Sequence, residues 1–308
     1  MPPCRALRPV RIGAATILSL AVAAAGLSAQ GGTPAPRRWF PRVPLFPPAI
    51  ADPMEPRFAG ALIHTDILGQ RPREREPFLL DRTAASGGEV QALVSLGGTY
   101  PIVQWPVGAG WMGIAGQVGS VTRFRIERLS RDEFSSDWMV ALPIEAASGP
   151  WAARFRIIHR SSHLGDEFLQ NNQAHRIELG GDGLDLYVAR RVGGLHGYAG
   201  AEWIFYSETD RFLVEGGRMD NSMAQAGVTG EWPLAAADPR WSVVLAGDWQ
   251  SWRRTKWQST LSGLAGVRFR AGARYAMLTL CATRGPSAMG EFFRTPETLW
   301  GLELTVNP

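Results

Sequence analysis

From Phe58 onward, hydrophobic and polar residues alternate in short segments rather than recurring at helical spacing, and Gly, Asp, Asn and Ser separate the segments. The alternation predicts strands near 58–66, 88–97, 110–117, 120–128, 137–145, 151–161, 174–180, 184–192, 196–207, 222–232, 241–251, 261–271, 274–284 and 297–306. Some are too short to cross a bilayer, so about twelve spanning strands are expected. The pattern is sharpest at Arg123-Phe124-Arg125-Ile126, Arg154-Phe155-Arg156-Ile157 and Arg268-Phe269-Arg270-Ala271. Successive side chains leave a strand on opposite faces, so each segment sets an apolar stripe against a pair of arginines. In a soluble sandwich the arginines face water and the apolar stripe a core. In a membrane barrel the stripe faces lipid and the arginines an enclosed polar lumen.

Tryptophan decides between these two. The chain has 12 of them; Trp105, Trp111, Trp138, Trp151, Trp203, Trp232, Trp241 and Trp300 fall near strand ends, where two interfacial girdles require them. Glycine and alanine inside strands, as at Gly197, Ala199, Ala201, Gly263 and Ala265, suit a curved lipid-facing wall. Without an apolar helix of spanning length, a closed ring is the remaining way to cross a bilayer with every backbone group bonded. The expected fold is therefore all-β, an antiparallel transmembrane β-barrel over residues 58–308.

The first residues describe export. Arg5, Arg8 and Arg11 precede an apolar run from Ile12 to Leu27, and small residues follow at Ser28-Ala29. That order predicts a signal peptide over residues 1–29. Losing the three leader arginines takes the formal charge from +4 to +1, which removes the basic surplus that would suggest nucleic acid. Only Cys281 follows the leader, so an intramolecular disulfide and a cysteine zinc site are excluded, and the thiol reads as a small apolar side chain. Residues 30–57 are dense in proline, with Pro34, Pro36, Pro41, Pro44, Pro47, Pro48, Pro53 and Pro56, and form neither a helix nor a central strand. This arm reads as an extended periplasmic lead-in; a small plug folded back on the barrel fits the same composition. An exported barrel of this kind belongs to the outer membrane of a Gram-negative-type envelope, with membrane lipid and the barrel-assembly machinery as its expected partners.

Two stretches carry a family resemblance. Leu45-Phe46-Pro47-Pro48-Ala49-Ile50-Ala51-Asp52-Pro53 with Glu55-Pro56-Arg57-Phe58, and His159-Arg160-Ser161-Ser162-His163-Leu164-Gly165-Asp166-Glu167-Phe168, resemble a bacterial family known as domain of unknown function 1207. The resemblance spans most of the chain after the leader. It implies an outer-membrane barrel and brings no activity with it.

One segment supports a chemical hypothesis. By period two, Ala153, Phe155, Ile157, His159 and Ser161 share the apolar face, while Arg154, Arg156, Ile158, Arg160 and Ser162 share the other. His159 and Ser161 thus continue the lipid-side stripe, where polar groups are functional candidates. The connection before this strand is short and the one after it long, which places the pair at the outer leaflet. A serine hydroxyl needs a neighbouring base to become a nucleophile, and i and i+2 positions on a strand stand side by side. The local His-x-Ser is similar to the outer-membrane phospholipase A and lipid A deacylase families, which implies a lipid hydrolase with Ser161 as nucleophile and His159 as base. Those families follow the serine with Asn, whereas Ser162 stands here. The group that orients His159 is sought among Asn171, Asn172 and Glu178, with Asn172 carried forward. Backbone amides or a Ca²⁺ held by Asp166 and Glu167 are candidates to stabilise an oxyanion. His163 joins these residues as a looser metal-ligand set. The competing reading is a polar turn in which His159 caps the strand and both serines bond the loop.

The inward arginines suggest a second function class. Arg123, Arg125, Arg154, Arg156, Arg160, Arg268 and Arg270 form an anion-selecting constriction if they stand free, and a closed interior if Glu145, Glu178, Glu202, Glu231 or Glu303 pairs with them. The closed interior is favoured, and the non-enzymatic alternative to the hydrolase is a narrow anion pore or a structural or adhesive barrel. Gly180-Gly181-Asp182-Gly183 lacks the helix and lysine of a phosphate loop and reads as a hairpin turn, and Arg71–Glu76 as a solvated loop.

Overall fold

The computed structural model describes residues 36–67, 88–127, 131–172, 179–207, 221–235, 238–272 and 274–307, so the proposed signal peptide lies outside the described residues. Period-two alternation becomes a ring of strands: β2 (Phe58–Thr65), β3 (Glu89–Val107), β4 (Gly110–Phe124), β5 (Glu133–Ser148), β6 (Trp151–Leu164), β7 (Gly180–Val192), β8 (Leu195–Ser207), β9 (Asn221–Ala235), β10 (Asp238–Trp252), β11 (Ser259–Ala271), β12 (Arg274–Pro286) and β13 (Pro296–Asn307). Each pairs antiparallel with the next, and β13 closes on β2 from Leu299↔Thr65 to Val306↔Phe58. A short β1 (Arg38–Trp39) adds to β3, and α1 (Asp166–Asn172) follows β6. Closure pairs both edges that an open sheet leaves unbonded. The fold is a closed, antiparallel, twelve-strand barrel.

Connections sort by length. Two residues join β3 to β4, β5 to β6, β7 to β8, β9 to β10 and β11 to β12, all at one end of the barrel. Glycine opens four of these turns at positive φ, Gly108 and Gly149 at 56°, Gly193 at 59° and Gly272 at 67°, which tight hairpins favour. The longer connections gather at the opposite end, matching the short periplasmic turns and long outer loops of outer-membrane barrels.

Several boundaries differ from the sequence reading. The segments 110–117 and 120–128 are one strand, β4, and β3 continues past Gly97 to Val107. Gly180–Gly183 is the start of β7 rather than a hairpin turn. The glycines there serve close packing at a register shift against β8: a Cβ on Gly181 would lie 2.5 Å from the Tyr206 carbonyl oxygen. The strands run alternately up and down from β2 to β13, and Ser207 and Asn221 both lie at the long-loop end.

The two faces separate as the alternation requires. Inside, Arg154, Arg156 and Ile158 of β6 are buried, whereas Ile157 and His159 are exposed on the outer wall. Leu62, Val140, Leu142, Val188, Leu245, Leu280, Leu302 and Leu304 continue an apolar exterior. Trp138, Trp203, Trp249 and Trp300 lie toward the long loops, and Trp151, Trp232 and Trp241 toward the short turns; all are exposed. These are two aromatic girdles bounding a membrane-facing band.

The lumen is filled. Phe46, Ala49, Ile50, Ala51, Asp52 and Glu55 of the proline-rich arm are buried inside the ring, so this stretch sits within the barrel rather than beneath it. Phe46 packs edge-on against Tyr187, with ring centroids 6.4 Å apart, beneath the Arg154 guanidinium. Glu145 Oε2 accepts the amides of Leu45 and Phe46 at 2.7 and 3.3 Å. Asp52 accepts from the amides of Gln225 and Gln250 at 3.0 and 2.9 Å. A chain crossing a lumen has no ladder to bond its amides, and proline removes the donors that would otherwise need partners. Gly119 makes room for this plug: a Cβ there would lie 2.8 Å from the Pro56 ring. Gly119→Leu is expected to push Pro56 off the wall and destabilise the protein by roughly 1–3 kcal/mol, measured as a lower midpoint in urea unfolding from lipid vesicles; an unchanged midpoint would show that the plug tolerates displacement.

At the long-loop end a lid closes the mouth. Phe168 of α1 and Phe292 of the β12–β13 loop pack on Phe134, with centroids 4.9 and 4.3 Å away, together with Ile67, Val121, Leu164 and Met289. Ser162, which points inward, donates to the Asp137 carboxylate and accepts from the Glu291 amide at 2.9 Å. Asp137 also accepts the Gly290 amide at 2.7 Å, so β5 and β6 pin the lid from below.

Candidate active site on the membrane-facing wall

Strand β6 sets His159 and Ser161 on its outer face, two residues apart and so roughly 7 Å between Cα atoms. The side chain of His159 is 58% exposed. Directly across the β6–β7 pairing stands Asp182, whose Oδ1 is 2.8 Å from His159 Nδ1. A carboxylate at Nδ1 holds the proton there and leaves Nε2 as the basic nitrogen, the arrangement a general base requires. Ser161 is flanked by Trp138 on β5 and Gly180 on β7, so a residue without a side chain leaves one flank open. Among the described residues no hydrogen bond joins Ser161 to His159. The arrangement has a base with an orienting acid, and a serine on the same face beside it.

The neighbouring serine is different in kind. Ser162 is buried, bonded to Asp137 and the lid, and faces away from His159. Asn172, expected to orient His159, is the last residue of α1, and its side chain lies outside the described residues, as does Glu178. Among the described residues, the carboxylate found at His159 Nδ1 is that of Asp182. The sequence reading placed it in a turn, but extending the outward Leu184, Leu186, Val188 alternation back by one step puts Asp182 on the lipid face. Asp166 and Glu167 form the first turn of α1, and among the described residues no three His, Cys, Asp or Glu side chains gather as a metal-ligand group.

The lumen arginines are brought to carboxylates. Arg154 meets Glu55 at 2.9 Å, Arg156 meets Asp185 at 2.8 Å, and Arg160 grips Glu202 through two bonds of 2.9 and 3.1 Å. Arg123 pairs with Glu297, Arg125 with Glu89, and both Arg268 and Arg270 with Glu231. Arg57 holds Glu303 at 3.0 Å. Glu202 and Glu231 thus pair with the expected arginines, whereas Glu303 binds Arg57 of the proline-rich arm and Glu145 binds plug amides. Glu55, Glu89, Asp185 and Glu297 were missed because nothing local says which strand lies opposite.

Residues 18–306 match a family described as protein of unknown function (DUF1207). The chain belongs to that family. Its DUF1207 fold is an outer-membrane-type β-barrel. No curated protein matches the chain. Among solved structures, it is similar to OmpT, an outer membrane protein of Vibrio cholerae, at 8% identity and a TM-score of 0.35, covering 80% of this chain and 97% of that one. CdiB from Escherichia coli is 10% identical with a TM-score of 0.32, over 82% of this chain and 63% of that chain. A BenF-like porin from Pseudomonas fluorescens Pf-5 is 10% identical with a TM-score of 0.27, over 75% and 71%. Likeness this distant carries no activity across.

Proposed function

We propose that this DUF1207 protein sits in the outer membrane with its long loops outward and hydrolyses acyl esters of outer-leaflet phospholipid or lipid A from its outer wall. Ser161 attacks the ester carbonyl, His159 Nε2 takes the serine proton and later delivers it to the leaving alcohol, and Asp182 keeps the ring oriented. Water then releases the fatty acid. The observation that carries this reading is the 2.8 Å contact between Asp182 Oδ1 and His159 Nδ1 on a face otherwise built for lipid. An exposed ion-pairing group on such a wall is costly without a use. The site lies at the level of Trp138, near the interface where lipid ester bonds reside.

Purified protein in detergent–phospholipid mixed micelles is expected to release fatty acid. Ser161→Ala should lower the rate by roughly a thousandfold or more, and Asp182→Asn by a large fraction of that. Ser162→Ala should retain the chemistry. Turnover that is indifferent to Ser161→Ala would end the hydrolase reading. The second reading, a non-enzymatic structural or adhesive barrel, is favoured by a lumen in which Arg123, Arg125, Arg154, Arg156, Arg160 and Arg268 are paired and whose centre holds the plug. It expects an electrically silent protein in planar bilayers, and anion-selective conductance at neutral pH would instead restore the pore.

A further inference from the structure

We infer that a second site on this protein, on the wall formed by β9 to β13, holds an acyl chain of a phosphate-bearing outer-leaflet glycolipid while basic side chains above it grip the phosphates. The inference rests on the outward placement of the long loops proposed above, but not on Ser161 chemistry. Across this wall, register aligns Gly247, Gly263 and Ala282 side by side on the outer face. Their small size leaves a depression of about 630 Å³, walled by Leu195, Val228, Trp232, Leu245, Leu280 and Trp300. The groove follows one pairing row across the strands, Val228–Gly247–Gly263–Ala282–Trp300, with Trp232 at its β9 side. Such a lining takes a hydrocarbon chain and offers nothing to a polar head.

The row immediately above it, toward the long loops, is Trp249, Leu261 and Arg284, paired in that order. Arg284 therefore stands one position above Ala282 on the same exposed face. Beyond it, Lys256 is exposed in the β10–β11 loop and Arg294 in the β12–β13 loop. These loops meet: the guanidinium groups of Arg254 and Arg294 lie 5.1 and 5.2 Å from the Phe293 ring centroid. Among the described residues of the same sector, Glu297 is buried against Arg123, and Asp66 accepts the Thr298 amide. Arginine and lysine over an apolar slot at the outer interface match a lipid with phosphate above and acyl chains below. A zwitterionic lipid satisfies the slot and wastes the cations, and a second copy of the chain would set like charges against each other.

The glycines supply a clean test. A Cβ on Gly263 meets nothing closer than the Ala246 carbonyl oxygen at 3.5 Å, and on Gly247 nothing closer than the Ser262 oxygen at 3.9 Å. Gly263→Leu therefore fills the groove without moving the wall. The full-length protein in detergent, titrated with bisphosphorylated lipid A and followed by native mass spectrometry, is expected to retain that lipid over its dephosphorylated form and over phosphatidylcholine. Gly263→Leu and the triple variant Lys256→Gln, Arg284→Gln, Arg294→Gln should each weaken retention at least tenfold, and only the triple variant should abolish its salt dependence. Equal retention of all three lipids, or indifference to both variants, would overturn the site. A mass doubling that Gly263→Leu abolishes would reassign the groove to a second copy. Labelling of Lys256→Cys by an impermeant maleimide on intact cells separates the two readings. No labelling above wild type sinks the outward placement, whereas labelling with unaltered lipid retention sinks only this site.

Discussion

Arg156→Ala is expected to cost about 3–5 kcal/mol of stability, because it strips a buried carboxylate of its cation. The guanidinium binds Asp185 at 2.8 Å and Gln117 Oε1 at 2.7 Å, and its Nη1 lies 3.7 Å from Glu55. Arg156 and Asp185 are both almost fully buried, so water cannot replace what the mutation removes. The comparison is Arg240, which pairs with Asp238 at 2.9 Å but stands in solvent; Arg240→Ala should change nothing measurable. Urea unfolding from vesicles, with heat-modified electrophoretic mobility as the check on folding, reads both. Equal midpoints for the two variants would mean that the lumen pairs contribute no more than surface ones, and the sealed interior would lose its energetic basis.

Acid is expected to free the plug before it unfolds the barrel. Burial pushes the Glu55 carboxyl up, but the guanidinium groups of Arg154 and Arg156, with a hydrogen bond from Arg154, outweigh it and hold Glu55 below its ordinary value of 4.5. A carboxyl depressed in the folded state contributes stability that is fully present above the unfolded value. That contribution is lost as pH falls through the folded one. The plug should therefore be held at neutral pH and loosened below pH 4.5, and Glu55→Gln should loosen it at pH 7. Ala49, which is 2% exposed, gives the readout: Ala49→Cys should react with a thiol-specific disulfide reagent that works at low pH only when the plug has left. Protection of Ala49→Cys in the Glu55→Gln background, with the barrel still folded, would show that the remaining contacts of Asp52 and Glu145 suffice.

Much of the candidate site was legible because period two is a local property. His159 and Ser161 share a face with Phe155 and Ile157 wherever the strand lies, and Arg154 and Arg156 oppose them. Asp182 was not legible as a partner. Three glycines around it imitate a turn, and only the bulge between β7 and β8 explains why the chain keeps them in a strand. The same limit applies to Glu55. A carboxylate in a proline-rich arm gives no hint that the arm enters a lumen until the ring exists to receive it.

By itself, the amino-acid order determined which side chains face lipid and which face inward, the all-β class and the two girdles, since all depend on neighbours a few residues apart. The tertiary structure alone decided in what register the strands pair, that Phe46–Glu55 fills the centre, which carboxylate answers each arginine, and that Gly247, Gly263 and Ala282 line up into a groove. Those depend on register between strands distant in the chain. A shift of one residue would turn every one of those side chains to the other face, so only the closed ring selects among the possible pairings.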